Sequence, residues 1–168
     1  MDPAYITPFI ASIHNVFSTM MQLPVTIGEP RIKDGPVTTY DISGIIGMSG
    51  DVVGSVVLSF PKTTAQRLVT LLTGTEMTAD HADFPDAIGE LANMISGNAK
   101  GQFGGKKKVS ISCPSVVIGQ NHSVARPKDV PCIIFPCSTD CGDFIVEVAI
   151  AERPSHVTPA AAHSTTTA

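Results

Sequence analysis

A helical stretch followed by three short runs rich in Val, Ile and Thr occurs twice in this chain, and that order constrains the fold more than any single residue does. Residues 5–22 place Ile6, Phe9, Ile10, Ile13, Val16, Phe17, Met20 and Met21 at helical spacing, with Pro8 read in the first turn and Pro24 beyond the end. Residues 25–32, 37–47 and 52–60 then read as strands, punctuated by Asp34-Gly35 (a hairpin signal) and by Ser49-Gly50-Asp51. A shorter helix is expected over 63–73, with Gly74 as its stop. The second round begins at Phe84-Pro85-Asp86, with a helix to about Phe103 and a stop at Gly104-Gly105. Strands are expected over 109–119, 130–136 and 143–151. Leu23-Pro-Val-Thr-Ile-Gly28 after the first helix resembles Cys113-Pro-Ser-Val-Val-Ile-Gly119 after the second. The reading is an α+β domain of duplicated helix–strand–strand–strand units. It has a six-stranded antiparallel sheet with long helices packed on one face, related by a pseudo-twofold axis. The domain is expected to cover residues 1–152, and the small, polar stretch 153–168 reads as a disordered tail.

The second long helix carries the chemistry. Ile88, Leu91, Ile95 and Ala99 form its buried stripe, flanked by Ala92 and Met94. Asp86, Glu90, Asn93, Gly97 and Lys100 recur at steps of four, three, four and three residues, so they share another stripe. A carboxylate and a carboxamide thus stand one turn apart, with glycines at 89 and 97. Each glycine costs about 1 kcal/mol relative to Ala inside a helix. Close packing on the sheet is the ordinary explanation of such glycines. It does not cover Gly97, which lies in the polar stripe and suits a docking surface for a partner backbone.

Composition limits the alternatives. A net charge of −4, with Lys106-Lys107-Lys108 as the one basic run, argues against nucleic acid, and that run reads as a solvated turn after the helix. No run approaches the roughly 18 apolar residues of a membrane span, and there is no signal-peptide pattern, so a cytoplasmic protein without membrane partners is expected. Cys113, Cys132, Cys137 and Cys141 are then free thiols, and Cys137 and Cys141 lack a C-x-x-C spacing. The histidines at 14, 81, 122, 156 and 163 are scattered, so no metal site is expected in this chain. There is no Ser-His or Cys-His nucleophile arrangement, no glycosidase carboxylate pair and no phosphate-cradling loop.

A carboxamide is neither acid nor base at neutral pH, but it donates and accepts hydrogen bonds at once and so orients a water. Phosphoryl transfer to water needs positioning and charge neutralisation above all. A Glu beside it would repel a phosphoryl group and is better suited to gripping a partner's Lys.

The pattern Asp86-x-x-x-Glu90-x-x-Asn93-x-x-x-Gly97-Asn98-Ala99 resembles the signature of the CheC/CheX/FliY phosphatases of bacterial chemotaxis, and the length and duplicated layout resemble the CheX branch. The resemblance covers most of residues 5–151 and is sharp over 86–99. It implies a phosphatase that speeds loss of the aspartyl phosphate of a CheY-like response regulator. Asn93 would enter the regulator's acidic pocket to orient the water, and Glu90 would pair with the regulator's active-site Lys. Asp86, Gly89, Gly97 and Lys100 would complete the partner-binding surface. Magnesium would sit in the regulator, with no cofactor bound by this chain. The resemblance also implies a homodimer formed by sheet edges. Family members with two active helices carry the motif in each. The first helix here has Ser12 three residues before Asn15 where a Glu would stand, so that helix is expected to be silent. Two other readings use the same residues. One is a non-catalytic module that docks a receiver domain or a diguanylate-type signalling partner through this helix. The other is a dimerisation protein in which Glu90 and Asn93 are leftovers.

Overall fold

The computed structural model describes residues 2–34, 40–105, 107–120, 122–126 and 128–154. Its elements run α1 (Pro3–Met21), β1 (Thr26–Ile27), β2 (Arg31–Ile32), β3 (Ile42–Gly50), β4 (Val52–Phe60), α2 (Lys62–Thr73), α3 (Phe84–Gly101), β5 (Val109–Ile111), β6 (Ser115–Ile118), β7 (Ile133–Thr139) and β8 (Gly142–Glu152).

Strand order is β1-β7-β8-β4-β3-β5, with β2 also on β7 and β6 also on β3. The pairs β1/β2 and β5/β6 each form one broken edge, so the sheet has the six positions expected from the sequence. All pairings are antiparallel, from Thr26↔Ser138 at one edge to Gly50↔Val109 at the other. The order reads the same from either end, with the β4–β8 pair at the centre and each unit's edge segments crossing onto the other unit. That is a pseudo-twofold duplication. It also corrects the hairpin expected at Asp34-Gly35, where Gly35 lies outside the described residues. β2 pairs with β7, whereas β3 pairs with β4, β5 and β6.

Both edges break at a proline. In the first, Pro136 of β7 has no N–H to offer its outer neighbour, and the pairing lapses between Ile27↔Cys137 and Arg31↔Ile134. In the second, the register slips by one residue between Met48↔Ile111 and Ile45↔Ser115, a bulge that contains Pro114. Since β1 and β5 each join the hairpin end of the neighbouring strand, they are the equivalent segments. The residue match between Leu23–Gly28 and Cys113–Gly119 therefore aligns β1 with β6, and is not the structural equivalence.

The helices cover one face of the sheet. Ile42, Ile46, Val56, Leu58, Phe135, Val146 and Val148 point into the core they form with Phe9, Phe17, Leu68, Phe84, Ile88 and Ile95, and all are fully buried. Phe144 stacks on Phe17 with centroids 5.2 Å apart. The hairpin between β3 and β4 turns at Gly50, whose φ of 109° suits only glycine. Asp2 caps α1, its Oδ1 accepting from the Ala4 N–H at 2.9 Å, with Pro3 in the first turn. The helix thus starts earlier than the sequence suggested, and Pro8 lies inside it rather than in its first turn.

Two features had no sequence signal. On the face away from the helices, Lys33 and Glu147 form a buried ion pair, Nζ lying 2.8 and 2.9 Å from the two carboxylate oxygens. Lys107, expected in a solvated turn, instead pairs with Glu152 and the Tyr5 hydroxyl and lies over the Tyr5 ring, joining the exit of α3 to the ends of α1 and β8.

Candidate functional site

Helix α3 is set down closely on β3. A Cβ at Gly44 would lie 3.2 Å from Ala92 Cβ and 3.3 Å from Ile88 Cγ2, so glycine there lets the helix approach. α3 also reaches the bulged edge. A Cβ at Gly89 would meet Pro114 Cγ at 3.0 Å and Cβ at 3.3 Å. The helix is thereby fixed between β3 and the β5–β6 turn, with its polar stripe over the sheet edge and open to solvent.

Along that stripe Asp86, Glu90 and Lys100 are exposed, and Asn93 and Gly97 are half-buried. Gly89 differs. It is buried against Pro114 and Val116, so its contact is within the chain, and it forms a floor beside Glu90 rather than part of the exposed stripe. At Gly97 a Cβ would meet only Ile111 Cδ1, at 3.9 Å, which is ordinary contact. The glycine at 89 is therefore packed tightly against the sheet edge, whereas nothing among the described residues crowds the one at 97.

None of Asp86, Glu90, Asn93 and Lys100 has a side-chain hydrogen bond or ion pair among the described residues. Glu90 and Asn93 are neighbours on the helix, their Cβ atoms about 5–6 Å apart by helical geometry. Asp86 in the first turn and Lys100 in the last both complement the helix dipole. The stripe is thus negative at one end, neutral at Asn93 and positive at the other. It offers a carboxamide that orients a water and a carboxylate that pairs with a cation, but no nucleophile. Among the described residues no group of three or more His, Cys, Asp or Glu side chains is placed to hold a metal ion. No described helix is long and apolar enough to cross a membrane.

Pro114 and Val116 border the stripe at Gly89, a neighbourhood with no signal in the sequence. Pro85, Asp86, Gly89, Glu90, Pro114 and Val116 line an open hollow beside Glu90. Helix periodicity finds the first of these, but only the tertiary fold brings the bulged edge to them. In α1, Asn15 is exposed, while Ser12 is fully buried and donates to the Ile95 carbonyl at 2.6 Å. The position where a second Glu would stand is closed to a partner.

Residues 42–138 match the family model described as chemotaxis phosphatase CheX. The chain is 28% identical over 128 residues to the CheY-P phosphatase CheX of Thermotoga maritima, covering 74% of this chain and 81% of that protein. A CheC-like superfamily protein from Shewanella sp. PV-4 superposes with a TM-score of 0.81 at 31% identity, over 90% of this chain and 99% of its own. CheX in the CheX–CheY–BeF3–Mg complex from Borrelia burgdorferi superposes with a TM-score of 0.74 at 25% identity, over 88% and 98%. With more than half of its length matched by that model, this chain belongs to the CheX family of chemotaxis phosphatases.

Proposed function

We propose that this protein hydrolyses the aspartyl phosphate of a CheY-like response regulator, with Asn93 inserted into the regulator's pocket to orient the attacking water. Water adds to phosphorus, the bond to the aspartyl oxygen breaks, and the regulator regains its carboxylate as inorganic phosphate leaves. Glu90 grips the regulator's active-site lysine and so places Asn93. Magnesium held by the regulator offsets the phosphoryl charge there. No covalent intermediate forms on this chain.

The observation that carries the reading is the contrast between the two glycines of α3. Gly89 has an internal reason, whereas Gly97 is small where nothing among the described residues needs it, one turn from the half-buried Asn93 and on the same stripe as the exposed Glu90, both unpaired. The activity named for the Thermotoga maritima relative and the regulator present in the Borrelia burgdorferi complex support the same partner. The protein acts in the cytoplasm as a homodimer joined through a sheet edge, for which β1/β2 and β5/β6 are the two edges on offer.

The test is the decay of a phosphorylated CheY-type regulator with magnesium, alone, with wild type, and with Asn93→Ala. Wild type accelerates decay, and Asn93→Ala loses about 100-fold of the acceleration, the scale of misplacing a reacting group. Equal acceleration by Asn93→Ala would overturn the assignment. A phosphorylation-dependent complex without faster decay would make the chain a binding module.

A further inference from the structure

The hollow beside Glu90 combines features that the water-positioning reading does not use. The rings of Pro85 and Pro114, the Val116 side chain and the bare backbone of Gly89 supply its apolar lining. Its rim carries Asp86 and Glu90, which are four residues apart on one helix face and exposed. Like charges at that spacing repel, and neither carboxylate has a cationic partner among the described residues. Asn93 does not line the hollow.

We propose that this hollow receives a lysine or arginine side chain that the regulator presents outside its phosphorylation pocket, and that Asp86 is the residue that selects for it. The proposal rests on the phosphatase reading for the identity of the partner. A long cationic side chain lays its methylene stem along apolar surface while its head stays polar, which matches a hollow lined by two proline rings and a valine beside two carboxylates. An anionic side chain would meet two carboxylates. A wholly apolar one would desolvate them with no compensating bond. Glu90 lines the hollow and lies one helical turn from Asn93, whereas Asp86 lines the hollow two turns from it. Asp86 is therefore a specificity residue, separable from the group that positions water. It distinguishes regulators that carry a basic residue at the matching place from those that do not, and it acts on encounter and affinity rather than on the reacting atoms.

Asp86 also lies in the first turn of α3, where a carboxylate favours the helix, so the experiment must separate docking from helix stability. Phosphate release is measured against the concentration of a phosphorylated CheY-type regulator for wild type, Asp86→Glu, Asp86→Asn and Asp86→Lys. In parallel, binding of the beryllofluoride-loaded regulator is titrated. Asp86→Asn raises KM and Kd about three- to fivefold with kcat unchanged. Asp86→Lys raises them further, Asp86→Glu restores them, and added salt narrows the gap between wild type and Asp86→Asn. Unchanged KM and Kd in Asp86→Lys would overturn the proposal, as would a fall in kcat at constant KM. If wild type fails to speed decay, the phosphatase reading fails, and the Kd series alone still decides whether Asp86 selects the partner.

Discussion

Ser12 Oγ donates to the Ile95 carbonyl at 2.6 Å across the contact between the two long helices, and Ser12 is fully buried. This bond lies three residues before Asn15, where the Glu-x-x-Asn spacing of α3 would put a Glu, so the two long helices do not present equivalent surfaces. Glu90 of α3 is open to solvent, whereas Ser12 of α1 is spent on packing.

It follows that Ser12→Glu does not create a second active helix. A carboxylate there is buried without a cation, and the variant loses at least about 3 kcal/mol of stability in urea unfolding. Ser12→Ala loses one hydrogen bond and about 1 kcal/mol. Doubled phosphatase activity in a well-folded Ser12→Glu protein would contradict this account.

The glycines of α3 respond oppositely to alanine. Gly97→Ala meets only Ile111 Cδ1 at 3.9 Å and gains roughly 0.5–1 kcal/mol of helix stability. Gly89→Ala presses on the Pro114 ring at 3.0 Å, and overpacking of about 1–3 kcal/mol outweighs the helical gain. Thermal unfolding therefore ranks Gly97→Ala above wild type and Gly89→Ala below it. In the dephosphorylation assay the more stable Gly97→Ala is the weaker binder, with a raised KM.

The ion pair on the far face is a stability element. Lys33 and Glu147 are both nearly fully buried, so Lys33→Met leaves Glu147 charged and unpaired, at a cost of about 3–5 kcal/mol. Replacing both, as Lys33→Met with Glu147→Leu, recovers most of that loss. A double-mutant cycle in urea measures the coupling, and additive losses would show that the pair is not coupled.

The periodicity of the sequence carried the order of elements, the six sheet positions and the α3 stripe, because these depend on local patterning that burial enforces. What it missed depends on long-range placement. Pro114 falls inside the single strand expected over 109–119 and Pro136 at the end of the one over 130–136, and only the sheet shows each beside a break in an edge. Lys33 and Glu147 are 114 residues apart and meet only because β2 joins β7. Lys107 looked like a solvated charge, since nothing local announces Tyr5 and Glu152 as its partners. Helical spacing separates Gly97, in the polar stripe, from Gly89, but only the bulged edge shows that Gly89 is closed off by Pro114 rather than open to a partner. Pro8 fits the first turn of a helix that begins at residue 5, because prolines favour first turns, while the start set by Asp2 and Pro3 leaves it inside the helix.

Cys137 ties stability to alkaline pH. Its thiol is 1% exposed in β7, and burial pushes its pKa from 9.0 up to about 12. Between those values the unfolded chain gives up a proton that the folded chain keeps, so unfolding releases a proton and stability falls as pH rises. The contribution is fully present below about pH 9 and is lost progressively toward pH 12, by about 1.4 kcal/mol per unit for a complete proton difference. Cys132 and Cys141 are shifted upward by burial as well and add to the same slope. Urea midpoints under reducing conditions at pH 8 and pH 10.5 fall more steeply for wild type than for Cys137→Val, which has no thiol to ionise at that place. Equal slopes for the two proteins would mean that the thiol ionises without unfolding and that the strand is open to solvent there.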